Sequence, residues 1–203
     1  MAQLSYGFKT PVGLAGGLFD ITPYVIDARR NEENDGVLGF GIGVVKGTTA
    51  GVQVALPTTS DSAADFEGIT VNGFTTENNM SGNVVLANGA TVGVLSKGRI
   101  WAQVKASLTI HYGDAVYLIN DGDNKGKFSN VATDGVKIPG ARFLDFAGSG
   151  NTHVIELGGI GNVVGLDLGD LNDVDFATAA PTNGQVIKYD STDKVWEPGN
   201  DAT

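Results

Sequence analysis

The segment TVGVLSKGRIWAQV, residues 91–104, contains two strand-like runs, 91–95 and 99–104. In such runs β-branched and aromatic residues alternate with small or polar ones, as expected of half-buried strands. Two more runs follow directly, at 109–112 and 115–119. Short strand-like runs at this spacing are typical of a β-sandwich or β-barrel. The segment and its neighbours therefore predict an all-β protein.

Turn dipeptides support the same prediction. Asn-Gly or Asp-Gly pairs occur at 35–36, 72–73, 88–89, 121–122 and 134–135. Asn and Asp tolerate a positive φ and glycine adopts it freely, which two-residue hairpin turns require. The chain has 30 glycines among 203 residues, and each interior glycine costs a helix about 1 kcal/mol relative to alanine. We therefore expect an antiparallel β-barrel or β-sandwich core rather than helices.

Composition excludes several classes of protein. The chain has no cysteine, so disulfide scaffolds, thiol nucleophiles and cysteine-based metal sites are ruled out. Its net charge of -10 argues against a basic face for nucleic acid. The longest apolar stretch, Val37–Val45, is broken by glycines and is about half the length of a membrane helix. Met1–Gly7 do not resemble a signal peptide. We therefore expect a soluble chain, made in a cytoplasm, with neither nucleic acid nor membrane as a partner.

Charge and patterning divide the chain into three parts. Residues 1–30 are an irregular apolar segment, for which we predict an extended N-terminal arm. Residues 31–160 contain the strand-like runs separated by turn dipeptides, and we predict that they form the barrel domain. Residues 161–203 contain eight acids and two lysines, a net of -6, against -4 (eleven basic residues and fifteen acids) for the rest. This last part is predicted to be an acidic linker followed by a small β-rich appendix.

Candidate catalytic or metal-binding motifs are weak. His111 and His153 lie in strand-like runs, and no Gly-x-Ser-x-Gly motif supplies a nucleophile. Asp121 opens a calcium-like loop, but Lys125 occupies a ligand position, so a polar hairpin tip is favoured. The acids of 167–175 share no single face on which two carboxylates would converge, which argues against a polysaccharide depolymerase. We predict no enzyme, no metal and no cofactor.

A series of short phrases in the middle of the chain resembles a known family. They are found at Phe66–Gly73, Gly82–Leu86, Val92–Trp101, Tyr112–Leu118 and Gly140–Phe143. Their order looks like that of the structural cement, or decoration, proteins of tailed bacteriophages, over roughly residues 30–160. The resemblance implies a small β-barrel on the outside of a capsid, commonly a trimer at junctions between capsomers.

A second resemblance lies near the end of the chain. Leu171–Asp175, Ala180–Asp190 and Val195–Pro198 are similar to a short module that recurs in phage head-fibre and tail-fibre proteins, often in tandem and within trimers. Here the module occurs once. The resemblance therefore implies a fibre stub, or an anchor for a separate fibre protein.

Candidate contact residues follow from these expectations. The arm has few ways to bury its apolar groups alone, so we expect it to pack on a neighbouring subunit or on the shell; the alternative is that it lies back on its own barrel. These apolar residues are Leu4, Tyr6, Phe8, Leu14, Leu18, Phe19, Ile21 and Tyr24. The contacts that we select are Tyr6, Phe8, Leu18, Phe19, Arg29 and Arg30, and Arg99 and Arg142 are further candidates for pairing with acids of the shell.

The C-terminal module offers a second contact. Tyr189 and Trp196 flank a turn and are predicted to pair across a hairpin. Together with Val186 they are our candidates for a trimer or fibre contact, with packing inside one chain as the alternative. Trp101, in an alternating run, is predicted to lie in the core.

The functional hypothesis is a structural virion protein. It would bind the major capsid protein as a homotrimer, on the outer capsid surface at capsomer junctions, after assembly in the host bacterial cytoplasm. The alternative is a head-fibre or glycan-binding module that displays or anchors a fibre on the particle.

Overall fold

A computed structural model describes residues 13–73, 77–78, 84–148, 150–158, 185–190, 192 and 195–200. The chain forms two compact units, residues 1–162 and 163–203. The helical turns that the described residues contain are three-residue 3-10 turns, Ala63–Asp65, Gly122–Asn124 and Ala132–Asp134. The predicted all-β class is confirmed.

Thirteen strands are described, eleven of them in the first unit. They are β1 (Val25–Asn31), β2 (Gly43–Lys46), β3 (Gln53–Ala55), β4 (Phe66–Thr70), β5 (Glu77–Asn78), β6 (Val84–Val85), β7 (Thr91–Gln103), β8 (Ala115–Leu118), β9 (Phe128–Ser129), β10 (Val136–Ala147), β11 (Thr152–Leu157), β12 (Gln185–Asp190) and β13 (Val195–Asn200).

Five of these strands close into a barrel, in the order β1-β3-β2-β4-β7 and back to β1. Closure depends on the antiparallel ladder between β1 and β7, which runs from Ile26 opposite Leu95 to Arg30 opposite Thr91. The pairing of β1 with β3 is parallel, whereas the other described strand pairs are antiparallel. The predicted barrel is therefore present, with one parallel pairing that the sequence did not indicate.

Strand β7 connects the barrel to an outer sheet. The runs 91–95 and 99–104 form this one strand through residue 103. Its second half pairs with β11, from Gly98 opposite Leu157 to Gln103 opposite Thr152. The outer sheet continues through β10, β8 and β9.

Alternating side chains of β7 build two different clusters. Ile100 and Ala102 point into the main core with the fully buried Phe128 and Phe143. Trp101 points the other way, where it packs with Leu144 and Val154. Trp101 is only 4% exposed, so its predicted core position is confirmed.

The turn predictions have mixed outcomes. Gly36, Gly89 and Gly122 adopt the expected positive φ, whereas Gly135 is extended. β8 and β9 pair as predicted across the polar tip that contains Gly122–Asn124. Within the described residues no three side chains are grouped in a way that could hold a metal ion, and no described helix is long and apolar enough to cross a membrane.

The strand predicted at 109–112 is wrong. Residues 108–111 have no regular structure, because the carboxylate of Asp114 accepts the backbone N–H of His111 at 2.9 Å. The backbone N–H of Gly113 then donates to Phe143. This local turn ends the run and delivers the chain into β8.

The predicted N-terminal arm is described from residue 13 onward. Its end, residues 25–30, belongs to β1 and thus to the barrel. Residues 13–24, here called the strap, lie along β7 with Leu18 bridged to Ile100. This part of the arm packs on its own chain, which is the alternative that the sequence left open.

The second unit contains one described hairpin, β12 and β13. Its register places Tyr189 opposite Trp196 and Val186 opposite Gly199. The predicted cross-strand pairing of the two aromatic residues is confirmed.

Candidate functional site

The strap is fixed to β7 by backbone hydrogen bonds. Gly16 donates to Trp101 at 2.7 Å, Trp101 donates to Gly17 at 2.9 Å, and Phe19 donates to Arg99 at 3.0 Å. The strap therefore continues the outer sheet along an edge of β7 that would otherwise present unpaired groups.

Two glycines allow the backbone to approach the indole of Trp101. A Cβ atom on Gly13 would lie 1.9 Å from Nε1 of Trp101, and one on Gly148 would lie 2.8 Å from its Cε3. Neither position has room for a larger residue. The strap and the end of β10 thus enclose the ring.

Two predicted contact residues of the arm pack inside the chain. Phe19 meets Trp101 edge-on, with ring centroids 5.6 Å apart, and Phe146 at 4.9 Å. Leu18 packs against the main core. Much of the surface of both residues is therefore already covered. Tyr6 and Phe8 lie outside the described residues.

A network of charged side chains crosses the outer sheet and reaches the strap. Glu156, 5% exposed, accepts Nε of Arg99 at 2.8 Å and Nε of Arg142 at 2.5 Å. Nη1 of Arg99 also donates to Oδ2 of Asp20 at 2.9 Å. The guanidinium of Arg142 lies 5.2 Å from the ring centre of Tyr112, within cation–π range.

The network lowers the pKa values of its carboxyl groups. Burial alone would raise the pKa of Glu156, but hydrogen bonds from Arg99 and Arg142 outweigh it and lower that pKa. The pKa of Asp20 is also lowered, because hydrogen bonds from Thr22 and Arg99 outweigh its partial burial. Hydrogen bonds to the two carboxylates raise the pKa of Arg99. All three groups are charged at neutral pH.

The four arginines named as candidate contacts lie in different surroundings. Arg99 and Arg142 make their ion pairs within the chain, so they are not free to pair with acids of a shell. The guanidinium of Arg29 lies 3.4 Å from Glu67 and 3.8 Å from Asp27. Arg30 is exposed, and it forms no ion pair among the residues that the structure describes.

Large apolar residues are exposed on the strap and beside it. Ile21 is 99% exposed, Leu14 67%, Tyr24 50% and Phe146 42%; these four form the strap surface. The sequence shows that the arm is rich in apolar residues, but it does not show which of them are exposed. Only the packing in the structure distinguishes the exposed residues from Leu18 and Phe19. No sequence signal singled out Phe146.

The hairpin of the second unit presents its aromatic pair. Tyr189 and Trp196 are 51% and 42% exposed, with ring centroids 5.3 Å apart. Cross-strand aromatic pairs of this kind stabilise a hairpin by up to about 1 kcal/mol. For Val186 the structure describes the backbone position only.

The two histidines lie in different surroundings. His111 is exposed. His153 is half-buried, and its Nδ1 has no hydrogen-bond partner among the residues that the structure describes. Burial lowers its pKa, an effect that nearby Asp145 opposes.

Comparison with known proteins gives two findings. A family model described as structural cement protein (E217 gp24/Pam3 gp6) matches residues 2–158. No curated protein matches the sequence. Among solved structures, a chain from the capsid of Myoviridae phage XM1 is similar, at 16% identity and a TM-score of 0.59, over 77% of this chain and 96% of that one. At this identity the likeness is one of fold.

Proposed function

The chain belongs to the family of structural cement proteins, and we propose that it performs this role on the outer surface of a bacteriophage head, at junctions between capsomers. It is a structural protein of the virion that stabilises the capsid. The observation that carries this conclusion is the family match, which spans almost all of the first unit. The family is one of structural proteins rather than an enzyme class.

The described surfaces suit a protein that acts through contact area. The barrel is closed and its core is filled. Several large apolar residues of the first unit are exposed, and those of the strap surface, which include the most exposed one, Ile21, are the contact that we propose. The partner that we propose is the major capsid protein. Arg30 is exposed and has no ion-pair partner in the part of the chain that the structure describes, so we propose that it pairs with acids of the shell.

We further propose that the protein acts as a homotrimer. The second unit supports this idea, because a two-stranded hairpin is marginal on its own and its aromatic pair is half exposed. Copies of the hairpin packed around one axis would cover those rings. The family match ends before this unit, and nothing in the comparisons favours a fibre or glycan-binding role. A fibre partner, and the part of Val186 in a trimer or fibre contact, remain predictions from the resemblance.

Co-sedimentation tests the function directly. Purified protein is mixed with expanded heads of the phage that encodes it and, as a control, with unexpanded heads. We expect saturable binding to the expanded heads and a higher temperature of head disruption after binding. Protein that stays in the supernatant at every concentration would overturn the proposal.

Light scattering on the full chain and on a chain ending at Asn162 tests the trimer. A trimer that becomes a monomer on truncation assigns assembly to the second unit. A trimer in both chains assigns it to the first unit. Monomers in both would contradict a preformed trimer and leave assembly to the shell.

A further inference from the structure

We propose that the turn at residues 20–22 is an apolar knob that inserts into the capsid shell, with Ile21 as the inserted side chain. This inference deepens the proposed function and rests on it. It also specifies the orientation of the protein, because it places the strap surface against the shell.

The geometry of the turn presents the isoleucine fully. Ile21 is 99% exposed and stands between Asp20 and Thr22, whose backbone N–H donates to Oδ1 of Asp20 at 3.0 Å. Side-chain-closed turns of this kind hold the backbone in one shape. Surface turns usually carry polar residues at such positions. Ile21 shares the strap with exposed Leu14 and Tyr24, and it is this set of apolar side chains, rather than one isoleucine alone, that favours a partner.

The turn is anchored as well as closed. Oδ2 of the same Asp20 carboxylate receives Nη1 of Arg99 at 2.9 Å, and Nε of Arg99 donates to the buried Glu156. Both carboxylate oxygens of Asp20 are therefore engaged, one within the turn and one with the outer sheet. A loop already fixed in its bound shape loses less conformational entropy on binding.

Charge explains why the knob can approach a protein surface. The whole chain carries a net of -10, but the only acid of the turn is paired with Arg99. Burying an unpaired carboxylate would cost much of the binding free energy. Because Asp20 is paired, burial of this turn avoids that cost.

Other exposed apolar residues accompany Ile21 on the strap surface. Leu14, Tyr24 and Phe146 are exposed on or next to the strap, and Phe146 is in contact with Phe19 of the strap. Aromatic and aliphatic anchors with a polar rim are typical of the residues that dominate binding. The occupant that fits is an apolar pocket of the major capsid protein, since the family acts on capsids.

Ile21→Ser tests the inference, with Val52→Ser as the matched control. Val52 is also a β-branched residue, 54% exposed, in a turn of the barrel. Binding of the full-length proteins to expanded heads is measured by co-sedimentation, and folding by the midpoint of urea unfolding. We expect Ile21→Ser to weaken binding about tenfold or more with an unchanged midpoint, since full burial of an isoleucine corresponds to roughly ten- to hundredfold in affinity. Val52→Ser is expected to bind like the natural chain.

Three results would overturn the inference, and they can be told apart. If Ile21→Ser and the natural chain bind equally well, the proposed insertion of Ile21 is wrong, whereas the proposed function is unaffected. A loss of oligomer mass in Ile21→Ser, seen by light scattering, reassigns the turn to contact between copies. Absence of binding by the natural chain itself overturns the proposed function and the knob with it.

Discussion

Nε of Arg99 and Oε1 of Glu156 are 2.8 Å apart, across the register pair that joins β7 to β11. Arg142 on β10 takes the other oxygen of the same carboxylate. One buried acid thus holds three neighbouring strands, and through Arg99 it also holds Asp20 of the strap. The stability of the outer sheet and the position of the strap therefore depend on the same group.

Glu156→Gln tests this dependence. The substitution keeps the shape of the side chain but leaves two guanidinium groups without their shared counter-charge. We expect a loss of about 2 kcal/mol in the free energy of unfolding, less than for a fully buried pair because both arginines are partly exposed. Urea denaturation measures it. Glu67→Gln, whose partner Arg29 is 3.4 Å away, is the control and should cost about 0.5 kcal/mol or less.

The pH dependence of stability should have two steps. Burial lowers the pKa of His153 below its ordinary value of 6.5, so the histidine contributes stability that is complete above pH 6.5 and is lost as the pH falls. The lowered pKa values of Glu156 and Asp20 act in the same direction, starting from ordinary values of 4.5 and 3.8.

Urea midpoints measured between pH 8 and pH 3 separate the two steps. We expect His153→Gln to flatten the profile between about pH 7 and pH 5.5 and to leave the acid step in place. His111→Gln, at an exposed site, should keep both steps. A natural chain with a flat profile above pH 5 would contradict the assignment to His153.

Gly13→Ala should detach the strap from Trp101. The added Cβ would lie 1.9 Å from the indole, so backbone or ring must move, at a cost of about 1–3 kcal/mol. In a Trp196→Phe background, the emission of Trp101 should shift to longer wavelength as the ring becomes exposed. Gly73→Ala, where a Cβ meets nothing within 4 Å, is the control; an equal shift in both variants would count against close packing of the strap.

Removal of residues 163–203 should leave head binding intact. The family match ends at residue 158, and the core, the charge network and the strap surface all lie in the first unit. We expect the shortened chain to keep the thermal unfolding midpoint of the first unit and its affinity per subunit for expanded heads, whether or not the trimer survives. Lost affinity in a folded shortened chain would show that the second unit takes part in attachment.

Arg30→Gln should weaken attachment in a salt-dependent way. Its guanidinium is exposed and forms no ion pair within the described residues, so an acid of the shell can pair with it. We expect a two- to fivefold loss of affinity at low ionic strength, roughly the range of exposed ion pairs, and little difference in about 0.5 M salt. Arg29→Gln should change attachment less, because Arg29 already pairs with Glu67. A larger loss of affinity in Arg29→Gln than in Arg30→Gln would refute the proposed pairing of Arg30 with the shell.

Local sequence patterns predicted the fold class and several elements. Alternation over 91–104 and over 115–119 indicated β7 and β8, and the Tyr189–Trp196 pair was readable because a short turn separates its strands. Closure of the barrel was not readable. It depends on the pairing of Ile26 with Leu95, which are far apart in the sequence. In addition, β1 contains two arginines and an aspartate, so it lacks the apolar pattern that would have predicted a strand.

The contact surface that we propose was predictable only in outline. Composition marked the arm as rich in apolar residues. The register that packs Leu18 against the core and leaves Ile21 exposed is set by hydrogen bonds to β7. Likewise, the sequence contains the arginines but does not show which acids they pair with. The pairing of Arg99 with Glu156 follows from strand register, which residue types alone do not specify.

Barrel closure has a consequence for a protein that is displayed in many copies on one particle. Exposed strand edges are templates for aggregation, yet β1 and β7 seal the barrel, and the last strand of the outer sheet, β9, is only two residues long. These two features leave neighbouring copies less open backbone through which to polymerise. In the described part of the chain, β12 and β13 pair with each other along six residues and with no other described strand, so we expect strand addition between copies first at the outer edges of that hairpin.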